Sequence, residues 1–78
     1  MANMHLKRTV LQVVDNQLRA NDPPITKTTY ERLQSLGHTK QQAKEKIAAV
    51  LLGEMYDVLK NKENYNEDRY TKKLKELN

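Results

Sequence analysis

The chain reads as all-α: a compact four-helix domain with a long central third helix. Three observations carry that reading. Apolar residues recur at three- and four-residue steps, and no run alternates long enough to make a strand. The two glycines and two prolines stand well apart in a chain otherwise rich in Lys, Gln, Leu, Glu and Ala. Breaks at Asn21–Pro24, Leu36–Thr39 and Asn61–Asn66 divide it into four segments of about 3–20, 24–36, 39–61 and 67–77, read together as one domain over 1–78.

In the first segment Leu6, Val10, Val13, Val14 and Leu18 share one helical face. Its valines are poor helix formers, so packing must hold it. The second runs from Pro24, which suits a first helical position, through Ile25, Tyr30, Leu33 and Leu36. Thr26 is an alternative cap for a later start. Gly37 fits a left-handed helix end. The third segment has the clearest start: Thr39-Lys40-Gln41-Gln42 matches a capping box. Beyond it Ala43, Ile47, Val50, Leu51, Met55, Val58 and Leu59 form a long stripe. Asn66 caps the fourth, with Glu67 and Asp68 in its first turn and Lys72, Lys73 and Lys75 near its end, charges placed to favour the helix dipole. Tyr70, Leu74 and Leu77 give it a narrow apolar edge.

Two polar side chains break the stripes. Projected at 100° per residue, Glu54 falls between Ile47, Val50 and Val58, and Gln17 falls among Leu6, Val10, Val13 and Val14. A carboxylate facing a core must be paired or neutralised. Glu54 is therefore expected to meet Gln17 or a nearby Tyr or Arg, forming a structural polar contact that sets helix register. On the other side of the third segment lie Ala49, Leu52, Gly53 and Tyr56. That side is expected to pack against another helix of the chain, with a homodimer or partner surface as the alternative.

The residues that carry catalysis are scarce. There is no Cys, so disulfides and Cys-based zinc sites are excluded, and a reducing cytoplasm is the expected compartment. His5 and His38 lie in different segments without a ligand pair, so no metal is expected. Ser35 is the only serine and has no glycine-rich elbow. Gly37 and Gly53 stand alone and cannot build a phosphate-binding loop. No catalytic residue and no cofactor is expected. Met1 to Arg8 lack the apolar run of a signal peptide, and no stretch approaches the ~18 apolar residues of a membrane span.

A hydrophobic share of 37% is low, but its periodicity points to a folded chain. The net charge of +4 raises nucleic acid as a partner. The sharpest form is a helix-turn-helix in which Thr39, Lys40, Gln41 and Lys44 open a recognition helix, or else the C-terminal lysines bind. Against it, Leu33 stands where a tight version of that motif places a small residue, and acidic residues intersperse with the lysines.

Two resemblances bear on the reading. From Arg32 to Ile47, Arg-Leu-Gln-Ser-Leu-Gly-His-Thr-Lys-Gln-Gln-Ala-Lys-Glu-Lys-Ile resembles the first turn of a ubiquitin-associated domain. Here His38 replaces that family's loop aromatic, and the following helix is about twice the usual length. More of the chain is similar to a family of small bacterial helical proteins designated only as a domain of unknown function. The similarity runs through Asp15-Asn16-Gln17, Asn21-Asp22-Pro23-Pro24, Glu31-Arg32-Leu33, Gly37, Ala43, the Leu51–Leu59 block with Glu54, and Tyr70 to Leu77. Some of those relatives carry histidines where this chain has Leu11, Gln41 and Glu45, so no metal role transfers. That resemblance implies a fold and leaves the function open.

The expected function is a small non-catalytic structural or protein-interaction module. Leu52, Tyr56 and Tyr65 are its candidate partner surface, a protein partner or a second copy its expected associate, with nucleic acid second and no membrane.

Overall fold

The computed structural model describes residues 4–78. Four helices form there, and no strand: α1 (Met4–Ala20), α2 (Pro24–Ser35), α3 (Lys40–Asn61) and α4 (Glu67–Lys75). The all-α, four-helix expectation holds. The expected start of the first helix at residue 3 lies outside the described residues.

Each helix end has a local cause. α1 stops at a turn in which Asn21 takes φ 53, and Pro23 and Pro24 then launch α2. Gly37 closes α2 at φ 105, where a side chain would be strained. The capping box of α3 is present in both directions. Gln42 N–H donates to Thr39 Oγ1 at 3.0 Å, and Thr39 N–H donates to Gln42 Oε1 at 2.9 Å. α3 ends on Lys62 in the left-handed conformation at φ 52. Asn66 caps α4 by accepting from Arg69 N–H at 3.0 Å. α4 ends at Lys75, two residues short of the expected Leu77: the Glu76 and Leu77 N–H groups bond to the Lys73 and Leu74 carbonyls three residues back, the tighter step that closes a helix. Arg32 Nη1 donates to Leu77 O at 2.6 Å and Nη2 to Leu74 O at 2.9 Å.

α3 packs against all three other helices and supplies more of the core than any of them, so it is central as expected; α2 also touches all three. Val10 and Val14 from α1, Leu33 from α2, Ala43, Ile47, Ala48 and Leu51 from α3, and Tyr70 and Leu74 from α4 make the core. Burying each of these larger apolar side chains contributes roughly 1.5–3 kcal/mol against the chain entropy.

Two faces differ from the periodicity. α2 turns Thr26, Thr29 and Leu33 inward, leaves Ile25 and Tyr30 at the edge of the core, and exposes Leu36. Threonine offers a methyl to the core, and the Thr26 hydroxyl has a partner there, so the inward turn strands no polar group. On α3, Met55 and Leu59 were expected in the buried stripe but reach solvent. The stripe of α3 is wider than its neighbours cover: α4 has only nine residues. It docks where Glu54, buried, and Asp57 meet Arg69, on one side of α3. Val13 of α1 is likewise on the boundary of exposure.

Candidate functional site

Glu54 is fully buried, as its place in the stripe of α3 requires. Arg69 of α4 is its partner. Arg69 Nε donates to Glu54 Oε1 and Nη2 to Oε2, both at 2.7 Å, in the fork geometry that a guanidinium forms with a carboxylate. The Asn66 N–H adds a third bond to Oε2 at 3.0 Å. Arg69 also reaches Glu63 at 2.6 Å. The Arg69 bonds, with help from the Asn66 N–H, hold the Glu54 carboxyl below its ordinary range and outweigh the upward push of burial. The same bonds hold the Arg69 guanidinium charged. The expected polar contact at Glu54 is thus present with Arg as its partner.

Gln17 forms a separate node. Its Oε1 accepts from the Thr26 hydroxyl at 2.8 Å and from the Tyr70 hydroxyl at 3.0 Å, tying α1 to α2 and α4. Burial pushes the Tyr70 phenol upward. Among the described residues, every buried side-chain nitrogen and oxygen has a hydrogen-bond partner. The buried polar atoms of both nodes are therefore satisfied within the chain, and the bonds link α1, α2, α3 and α4.

Of the four residues read as the start of a recognition helix, two are committed. Thr39 is consumed by the cap. Lys44 Nζ pairs with Asp15 at 2.8 Å, and this hydrogen bond raises its pKa. Lys40 and Gln41 are exposed. The neighbouring Glu45 places a carboxylate on the same helix start and pairs with Lys7 at 3.0 Å.

The surface on the C-terminal half of α3 is different. Leu59 is 75% exposed, Tyr56 60% and Met55 37%, on consecutive turns of one helix. The expectation that Ala49, Leu52, Gly53 and Tyr56 pack within the chain fails for most of them. Ala49 and Tyr56 are exposed, and a Cβ built on Gly53 would meet nothing within 4 Å. Leu52 departs from its reading as an exposed residue: it is half-buried against the core, at the inner margin of this face. Tyr65 is 47% exposed, but its ring leans on Tyr70, centroids 6.1 Å apart and planes tilted 55°. That partial burial pushes its phenol up to about 12. Tyr65 is thus exposed, as read from the sequence, and its ring braces the link before α4.

The remaining features are shallow. An open groove of about 460 Å³ between α1 and α2 is lined by Leu18, Lys27, Tyr30, Glu31 and Gln34. Among the described residues, no three His, Asp or Glu side chains gather to hold a metal ion. None of the described helices is long and apolar enough to cross a membrane. The chain matches no protein-family model, no curated protein and no solved structure.

Sequence reasoning missed Arg69 and Arg32, the two arginines that fasten α4. The signal for Arg69 was its place three residues after the Asn66 cap, which turns it back toward α3. Arg32 carried no local signal.

Proposed function

We propose that this chain is a non-catalytic protein-interaction module that presents the outer face of α3, with Met55, Tyr56 and Leu59 as its contact residues. One observation supports this most: three large apolar side chains stand in solvent on a helix held rigidly by core packing on its other side. Burying them costs little conformational entropy beyond their own rotamers, because the backbone beneath them is already ordered. Apolar groups contiguous on one element are the kind of surface that partners cover, whereas scattered single residues need no such reading. The cysteine-free composition fits a cytoplasmic setting for the module.

A photo-crosslinking residue at Tyr56 tests the reading in cells. An adduct is expected from that position and none from Lys27 on α2. No adduct from position 56 or 59 would defeat it.

A further inference from the structure

The main fastenings of α4 lie on residues that precede its link. Arg69 grips Glu54 of α3, Tyr70 reaches Gln17 of α1, and the Leu74 and Leu77 carbonyls accept from Arg32 of α2. Tyr70 and Leu74 are buried in the same contact. Helices α1 to α3 thus present a docking surface whose occupant needs a guanidinium, a phenol beside it and an apolar side chain one turn later. The link to that occupant is strained. It runs five residues, from Lys62 to Asn66, all exposed. Lys62 takes φ 52 and ψ 44, the left-handed region in which a Cβ crowds the following carbonyl. No Gly or Pro stands between Gly53 and Asn78, so no helix-breaking residue ends α3 at Asn61. The reversal at Lys62 is what folds α4 back onto its own chain.

We propose that this docking surface also accepts α4 of a second copy, two chains exchanging their fourth helices with Lys62 as the hinge. Short links under strain favour exchange, because opening relieves the strain in both chains. Each copy then regains the Glu54–Arg69, Gln17–Tyr70 and Arg32 bonds across the chain boundary, and the two-fold symmetry makes both sites alike. Two contacts belong to the link and are lost: the Arg69–Glu63 ion pair and the lean of Tyr65 on Tyr70. Glu63 and Tyr65 are both exposed, so their loss leaves no buried group unpaired. The inference goes beyond the reading of the Met55–Tyr56–Leu59 face and neither needs nor covers it.

The closed monomer and the exchanged dimer bury the same α4 contacts. Their balance is set by the strain at Lys62 against the effective concentration of a tethered α4, which for a short link is in the millimolar range. The dimer is therefore expected at about 1 mM and absent at about 10 µM. Because α4 must undock before it can exchange, the two forms interconvert slowly unless the chain is warmed.

Light scattering tests this on the full chain held at about 1 mM, warmed to its thermal midpoint and cooled. The mass should rise from 9.1 kDa toward twice that value. Lys62→Gly relieves the left-handed strain and weakens the helix there, so it should lower the dimerisation constant roughly a hundredfold over two hinges. Lys62→Ile, which tolerates that region less than lysine, should raise it. Opposite shifts from one position report a hinge, which general loss of structure would not produce. A mixing experiment identifies the exchanged element. A Glu54→Lys chain sets like charges together, and so does an Arg69→Glu chain; mixed, each can pair only with the other's α4. The equimolar mixture should form a dimer that neither chain forms alone. A natural chain that stays at 9.1 kDa, a dimer indifferent to Lys62→Gly, or a mixture of folded variants that does not associate overturns the inference. Where the charge-reversed chains do not fold, the hinge pair decides it. The Tyr56 crosslink reports a different face and stands or falls separately.

Discussion

Glu54 is held by three hydrogen bonds, two from Arg69 and one from the Asn66 backbone, and the pair is asymmetric. The carboxylate is buried, whereas Arg69 retains some exposure and two further acidic neighbours, Glu63 and Asp57. Removing the arginine strands a buried charge; removing the carboxylate leaves a guanidinium that still has partners and water. Arg69→Leu should therefore lower the thermal midpoint more than Glu54→Leu, by on the order of 10 °C. The double variant should recover part of the loss, and melting curves of the three variants read this directly. The sign with pH follows from the depressed Glu54 carboxyl. Near its ordinary value of 4.5 the unfolded chain takes up a proton that the folded chain refuses. The Glu54 contribution is complete above that value and is lost as pH falls through the lower folded one. Urea midpoints should fall between pH 6 and pH 3, and Glu54→Gln should flatten that dependence.

α4 has nine residues and is too short to be stable alone, so its helicity depends on what it docks against. Tyr70 and Leu74 supply the buried area, and the two arginines fix its ends: Arg69 at the start, Arg32 from α2 at the finish. Arg32→Ala should cost about 1–2 kcal/mol and speed amide exchange in α4 before it affects α3. Uniform acceleration in all four helices would show that Arg32 supports the whole core instead. On α3, Gly53 sits in a helix interior with open space where a Cβ would go. Gly53→Ala should raise stability by about 1 kcal/mol in denaturant unfolding, as the alanine gains helix propensity without a clash.

At the level of the whole molecule, charge and apolar exposure point to different partners. The net charge of +4 is spread over a surface where Lys7, Lys44, Arg69 and Lys73 already pair with acidic residues. Three of the large apolar residues left in solvent, Met55, Tyr56 and Leu59, gather on one helix face, whereas Val13, Leu36 and Tyr65 lie on other elements. Association through that face should persist at 0.5 M salt, because apolar burial is not screened. Binding to DNA or RNA through Lys40, Gln41 or the C-terminal lysines should vanish there, since it depends on counterion release. Light scattering and fluorescence anisotropy across a salt series separate the two.

Helix number, the capping box at Thr39, the Asn66 cap and the inward direction of Glu54 were legible from residue order, because each depends on neighbours within about one or two turns. Those preferences act through local backbone geometry and a fixed periodicity, and they survive whatever surrounds them. The partner of Glu54 lies 15 residues away and that of Gln17 as far as 53, distances over which no local rule selects one side chain. The rotation of α2 onto Thr26 and Thr29, and the emergence of Met55 and Leu59 into solvent, were settled only when four helices of unequal length came together. A stripe of apolar residues specifies which side of a helix can be buried; how much of it is covered depends on the reach of the elements that pack there.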